Sequence, residues 1–313
     1  MQSLHALLWR EQWGRGTKRG ATSDRTAGAF FSARSVRSLV ASEDTRSELD
    51  DAVFERDDFT CQHCHDRLDA PDLDSYAVDP APAGDGPRPA SLVTICADCA
   101  SVLAGTAAAE SPVTDRALFE TVRDCTVAQS EAISDVVAFA DRATALPSAL
   151  EAGEHDPAAY AAARRELSVT LDVLKVQLAS LEALDPADFA VDPAAFEAFR
   201  TDARQLQADL REIVATVERI AATLDRCHVC LEAVDGGGVD ADGNGDADGT
   251  VGAGGRCRTC AVSGPDASEW RDSAGDVDFD ALFGSINGTL QTASKTTERL
   301  TDRASAVAES LVR

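Results

Sequence analysis

Eight of the nine cysteines in this 313-residue chain fall into four Cys-x-x-Cys pairs: Cys61/Cys64, Cys96/Cys99, Cys227/Cys230 and Cys257/Cys260. A Cys-x-x-Cys turn aims two thiolates at one point, and two such turns complete a tetrahedral shell around one soft cation. A single pair would equally suit thiol–disulfide exchange. Two sets of two favour structural zinc, about two ions per chain. The first set is Cys61, Cys64, Cys96 and Cys99; the second is Cys227, Cys230, Cys257 and Cys260. The ninth cysteine, Cys125, shares a heptad stripe with Leu118, Val122, Ala132, Val136 and Phe139, so a buried core thiol is expected. No histidine stands at a helical offset to activate it as a nucleophile.

The residues around the first set carry further information. Leu49 to Arg56 reads as a short helix that buries Leu49, Val53 and Phe54. It runs into Arg56-Asp57-Asp58-Phe59-Thr60-Cys61-Gln62-His63-Cys64. Tyr76-Ala77-Val78-Asp79 reads as a short strand, and Ser91-Leu92-Val93-Thr94-Ile95-Cys96-Ala97-Asp98-Cys99 follows. These segments resemble HNH endonucleases, whose zinc module opens with Arg-Asp-x-aromatic-x-Cys-x-x-Cys and continues with Asn-Leu-Val-x-Leu-Cys-x-x-Cys. The resemblance covers residues 49 to 106 and implies a treble-clef-like ββα zinc module. In the family it also implies metal-assisted phosphodiester hydrolysis.

The family's catalytic residues do not carry over. Matched position by position, Asp79 takes the place of the Asp in the family's Asp-His pair, and the His base falls on Pro80. The orienting Asn falls on Ser91 and the last His on Ala100. Proline and alanine offer no lone pair for a proton or a metal, so catalytic degeneracy is expected and no catalytic residue is assigned. His63 and His65 flank Cys64, but the family's base comes from the strand, so they are expected on the surface beside the metal, or one of them in place of a cysteine ligand. His228, inside the third cysteine turn, is expected to face solvent.

Four helices must position these modules. Ser111-Pro112, Asp156-Pro157 and Asp192-Pro193 each place a capping residue before a proline at the first helical position. The helix from Pro112 keeps its heptad stripe except at Gln129. The helix from Pro157 carries Leu167, Leu171, Leu174, Leu178 and Leu181; the one from Pro193 carries Phe196, Phe199, Ala203, Leu206, Leu210, Ile213, Val217, Ile220 and Leu224. The last carries Phe279, Phe283, Ile286, Leu290, Ala293, Thr297, Leu300, Ala304, Val307 and Leu311. Alternating spacings of three and four predict coiled-coil-like packing, and the short loop Asp185–Asp192 predicts an antiparallel return. An intramolecular bundle is the first expectation; a coiled-coil homodimer is the alternative.

The expected fold is therefore mostly α with a small α+β zinc module. It divides into a disordered extension or overlong start (1–37), an HNH-like zinc module (38–106) and a heptad-patterned antiparallel helical bundle or coiled coil (111–226). A second four-cysteine zinc knuckle (227–262) and a C-terminal heptad helix (275–313) follow. In the Gly/Asp-rich segment Asp235–Gly255, Asp240 to Gly245 matches half a calcium loop. Position twelve is Val251 rather than Glu, so a flexible insert is expected.

Composition narrows the function classes. The net charge is −25, from 54 acidic and 29 basic residues, and only Lys18, Lys175 and Lys295 are lysines. This resembles proteins of salt-in halophiles. At about 1 M salt the Debye length is roughly 3 Å, so the acidity neither forbids nor favours a nucleic-acid partner. Phosphate contacts themselves weaken in such salt. Residues 1–37 hold seven basic and two acidic residues, and translation is expected to begin near Val36. No run of about 18 apolar residues occurs, so no membrane span is expected, and the address expected is the cytoplasm. The reading that follows is an HNH-like zinc-binding protein without catalysis, acting as a nucleic-acid- or protein-binding module on a helical scaffold. The alternatives are an active metal-dependent endonuclease and a purely structural adaptor.

Overall fold

The computed structural model describes residues 43–79, 86–105, 114–234 and 256–311. The chain begins with α1 (Glu43–Arg56), β1 (Leu73–Ala77), β2 (Leu92–Cys96) and α2 (Ala97–Leu103). Then come α3 (Asp115–Thr144), α4 (Leu146–Ala152), α5 (Pro157–Glu182), α6 (Pro193–Thr223) and α7 (Phe279–Leu311). All described residues belong to one unit, Ala41–Arg313. The expectations for residues 1–37, for Pro80, for Ser111-Pro112 and for the calcium-like segment Asp235–Gly255 lie outside the described residues.

Local chemistry sets the helix ends. A carboxylate oxygen of Asp156 accepts from the Ala159 amide at 3.0 Å, and one of Asp192 accepts from the Ala194 amide at 2.9 Å. These bonds satisfy amides that a helix start leaves without partners. The Thr114 hydroxyl caps the first long helix, accepting from the Ala117 amide at 3.1 Å. It stops at Thr144 because Pro147, in the first turn of α4, cannot donate to the preceding turn.

α3, α5, α6 and α7 close on one apolar core. Side-chain contacts fix their directions. Arg200 donates to the Leu181 carbonyl at 2.7 Å and Gln207 to the Leu174 carbonyl at 2.7 Å, so α5 and α6 are antiparallel. The Asp192 amide donates to the Ser310 hydroxyl and Arg299 to Asp202, so α7 runs against α6. The Asp115 carboxylate at the start of α3 accepts from the Ala190 amide just before α6, while Phe139 meets Tyr160 at 5.3 Å between ring centroids. α3 thus runs antiparallel to α5. Nearly every stripe residue of α5 and α6 is buried, Leu224 being the partial exception. In α7 the inward positions include Leu282 and Thr296, where the stripe had Phe283 and Thr297. Thr296 turns inward towards the buried carboxylate of Asp209, at 3.4 Å. These stripes bury one another within the chain. Val127 and Val137 are the exposed large apolar side chains among the described residues.

The small sheet is antiparallel, with Leu73 opposite Cys96, Tyr76 opposite Val93 and Ala77 opposite Leu92. β1 therefore begins before Tyr76 and ends before Asp79, the first strand being displaced from its expected span. β2 is buried throughout. It can be so because α5 covers it: Val169 and Val173 pack with Val93, Ile95 and Cys61. Among the described residues no helix is long and apolar enough to cross a membrane.

Gln129, the one break in the α3 stripe, is fully buried. Its amide nitrogen lies 3.3 Å from Cys125 Sγ, and its Oε1 has no partner. An unpaired buried acceptor costs about 1–3 kcal/mol. Gln129→Met keeps the length and removes the acceptor, so it should raise the urea midpoint by the equivalent of about 1 kcal/mol without changing the m-value.

Candidate metal centres

Three of the four cysteine pairs fold in the same way, by one set of backbone bonds. The amide of the first cysteine donates five residues ahead: Cys61 to Asp66, Cys227 to Glu232 and Cys257 to Val262. The residue after the second cysteine donates back to the first, as in His65 to Cys61 (3.0 Å), Leu231 to Cys227 (2.8 Å) and Ala261 to Cys257 (2.8 Å). Isolated bridges Thr60–Arg67, Arg226–Ala233 and Arg256–Ser263 close the three turns. Each turn requires a left-handed residue after its second cysteine, supplied by His65 (φ 60°), Leu231 (φ 57°) and Ala261 (φ 58°). None is glycine, so each turn carries backbone strain of about 1–2 kcal/mol that its other bonds must offset.

The fourth pair is different. Cys96 ends β2 and caps α2, its Sγ accepting from the Cys99 amide at 3.4 Å. The first centre thus joins one turn to a strand–helix junction, and the second joins two equivalent turns.

In both centres the four sulfurs lie within 4.8 Å of one another. The Cys64–Cys96 separation is 3.8 Å; Cys227–Cys260 is 3.2 Å and Cys230–Cys257 is 3.5 Å. Four sulfurs at about 2.3 Å from a tetrahedral ion stand roughly 3.8 Å apart, so both sets could hold a metal ion. The electrostatics agree. Burial, with crowding by Cys61 and Cys96, pushes the Cys64 thiol up to about 12. Bonds from Cys230 and Cys260 hold the Cys227 thiol far below its ordinary value, while the same contacts push Cys230 up. Thiols packed this closely cannot all ionise without a cation among them. The donor set fits a closed, four-coordinate structural metal.

The other candidate residues divide. His65 is exposed and reaches Glu166 of α5 at 3.5 Å, whereas His63 is half-buried. His228 does not face solvent as expected. It is 7% exposed, because its carbonyl accepts from the buried Tyr160 hydroxyl at 3.2 Å and draws the turn onto α5. Cys125 is buried, and burial pushes its thiol up to about 11, as suits a core residue. Ser91 is buried and its hydroxyl donates to the Arg88 carbonyl at 2.9 Å. Ala100 lies on α2, half-buried against the first centre.

Asp79 has a partner that the sequence did not announce. Arg164 of α5 grips both its carboxylate oxygens, at 2.7 and 2.8 Å, and with Nε it donates to Glu218 of α6 at 2.7 Å. The Arg164 side chain is 5% exposed. Burial alone would lower this guanidinium, but Glu218 and Asp79 outweigh it and hold it above its ordinary value. Arg164 departs from the leucine stripe of α5, and so do Arg165, Val169 and Val173. The last three are spaced four apart and form a second stripe, the one sign in the sequence that α5 is covered on two sides.

Two outcomes follow. Replacing Cys61 and Cys64 together by Ser should reduce bound metal from two equivalents to one, read by elemental analysis. The far-ultraviolet helical signal should be largely retained, since the α3–α5–α6–α7 core contains none of these cysteines. Arg164→Met should destabilise the chain by about 3–5 kcal/mol in chemical denaturation, because it leaves the buried Asp79 and the half-buried Glu218 without a counter-charge.

No protein-family model, curated protein or solved structure matches this chain, so a functional reading rests on the residues and their geometry.

Proposed function

We propose that this chain is a zinc-stabilised binding protein without catalytic activity. In this reading an HNH-like module, docked on a helical scaffold, recognises a protein or a nucleic acid. The observation that carries the reading is the state of Asp79. It is the one acidic group that the resemblance leaves in place, and both its oxygens are occupied by a buried guanidinium. To ligate a divalent ion it would have to draw that ion beside the guanidinium it already holds, in a largely buried place where like charges repel strongly. The hydroxyl of Ser91 is committed to its own turn, and Ala100 has no donor atom. The centres themselves supply no substitute. Four thiolates select a soft tetrahedral ion such as zinc and leave it no open position for water or substrate.

The surface chemistry bears on the partner. Of the module's arginines, Arg56 is spent on Asp57 and on the carbonyls of Pro89 and Leu92, and Arg67 pairs with Asp58 at 2.8 Å. Arg88 is exposed. That is little cationic surface for a nucleic-acid backbone, which is bound through many phosphate contacts. A protein partner fits the remaining surface better.

The test is incubation of the purified protein with supercoiled plasmid in molar KCl with Mg²⁺, Mn²⁺ or Ni²⁺, beside Asp79→Ala. The expected result is no nicking by either protein. Metal-dependent nicking that Asp79→Ala abolishes would establish an active endonuclease and overturn the proposal.

A further inference from the structure

The two outer edges of the small sheet are unlike. The Val78 amide donates to the Ser91 carbonyl at 3.0 Å. With the observed register, Asp74, Tyr76 and Val78 are then the residues whose backbone groups face β2. The same alternation turns Leu92 and Thr94 to the far side of β2, and their groups there are taken. The Leu92 carbonyl accepts from Arg56 at 2.8 Å, and the Thr94 amide donates to Asp57 at 2.9 Å. The Thr94 carbonyl accepts from the Gln62 amide at 2.8 Å. The N-terminal module thus plugs the β2 edge with its own residues.

The outer edge of β1 has no such plug. It presents Leu73, Ser75 and Ala77, and the Leu73 amide is spent on the Ala70 carbonyl. The Ser75 and Ala77 amides, and the carbonyls of all three residues, have no hydrogen-bond partner among the described residues. Ala77 is exposed and Ser75 half-buried. The faces of the strand are held: the Ser75 hydroxyl donates to Asp50 of α1 at 2.5 Å, and the Tyr76 hydroxyl to Asp172 of α5 at 3.1 Å. What stays open is the row of backbone groups between these two helices. An unpaired row of donors and acceptors is a template for another strand, and exposed edges are commonly blunted by lysine, proline or a bulge. Leu73–Ala77 contains neither lysine nor proline, and its register with β2 is unbroken.

The charge beside this edge is of one sign. Asp72 and Asp74 are exposed, and so are Glu48 and Asp51 of α1. At the start of β1, Asp69 and Asp72 line an open depression with Phe59 and Leu68; its one basic residue, Arg67, is paired with Asp58. We propose that the outer edge of β1 is a docking site for an extended basic segment of a partner protein, which adds a third strand to the sheet. The Ser75 and Ala77 amides donate to that segment, the edge carbonyls accept from it, and its lysines or arginines meet Asp72, Asp74 and the acidic face of α1. This names the kind of partner for the protein-binding role proposed above and rests on that role.

The probe is a capped peptide of alternating lysine and valine, long enough to span β1. It is titrated into the zinc-loaded full chain at the lowest KCl concentration that keeps the far-ultraviolet helical signal. The expected result is saturable one-to-one binding, with slowed hydrogen exchange at the Ser75 and Ala77 amides. A peptide with glutamate in place of lysine should not bind. Ala77→Pro removes an outward donor that the sheet does not use, so metal content and helical signal should be unchanged while the peptide binds about tenfold more weakly. Ala77→Val keeps the donor and should bind at least as tightly as the wild type. If Ala77→Pro fails to fold, exchange of the two amides in the wild type decides. Absence of binding by the lysine–valine peptide, equal binding of the glutamate peptide, or unaltered binding in Ala77→Pro would overturn the proposal. So would slow exchange of both amides without peptide, which assigns the edge to this chain's own residues, or a dimer that Ala77→Pro dissociates, which assigns it to a second copy. These results are separate from the plasmid test: nicking overturns the inactive reading, and failure of the peptide overturns this site alone.

Discussion

Arg164 is the point at which three parts of this protein meet. Its guanidinium holds Asp79, just past the first strand, and Glu218, near the end of α6, while its backbone belongs to α5. A guanidinium is suited to such a place because its planar fork fills a carboxylate on one edge and leaves Nε for a second acceptor. Buried ion pairs seldom stabilise a fold relative to apolar side chains of the same size, because desolvation of the charges consumes the Coulombic gain. What they do well is penalise every other arrangement. If the small sheet slid along α5, two carboxylates and a guanidinium would be stranded out of water. The tie thus fixes where the N-terminal module sits on the bundle. It also engages both carboxylate oxygens of Asp79.

The metal centres answer to a different constraint. Apart from its cysteines, the second centre buries Val229 with only partly buried neighbours, Ala90, Val234 and Val262. The first adds Val93 and Ile95 and borrows Val169 and Val173 from α5. Cores this small cannot by themselves offset the chain entropy of ordering the turns, nor the strain of left-handed His65, Leu231 and Ala261. A metal ion held by the four sulfurs would supply what the apolar contacts lack. The second centre, with the smaller core, would depend on it more. Ala90 packs against that second centre although it belongs to the segment leading into β2, so the two centres share a boundary. Tyr160 fastens the same boundary to α5 through the His228 carbonyl.

Much of this was legible in the residues. Cys-x-x-Cys spacing selects local turns, and turn geometry depends on neighbours a few residues away. Asp156-Pro157 and Asp192-Pro193 mark helix starts because capping and proline geometry are equally local. The alternation of threes and fours selected inward faces for α5 and α6, since a helix has a fixed period and only one face can leave water at a time. The start of α3 is equally local, capped by the Thr114 hydroxyl.

What the sequence alone left open was every decision that depends on a second surface. The stripe of α5 identified one buried face, and the packing of the sheet on the opposite face decided that Arg165, Val169 and Val173 are buried as well. His228 looked like a polar residue in a solvent-facing turn; docking against Tyr160 put it inside. Asp79 looked like the remnant of a metal site, and an arginine 85 residues later in the chain claimed it. The reason is the same in each case. Periodicity and spacing report which residues can leave water, but the partner of a buried charge is chosen by three-dimensional proximity, which sequence separation does not encode.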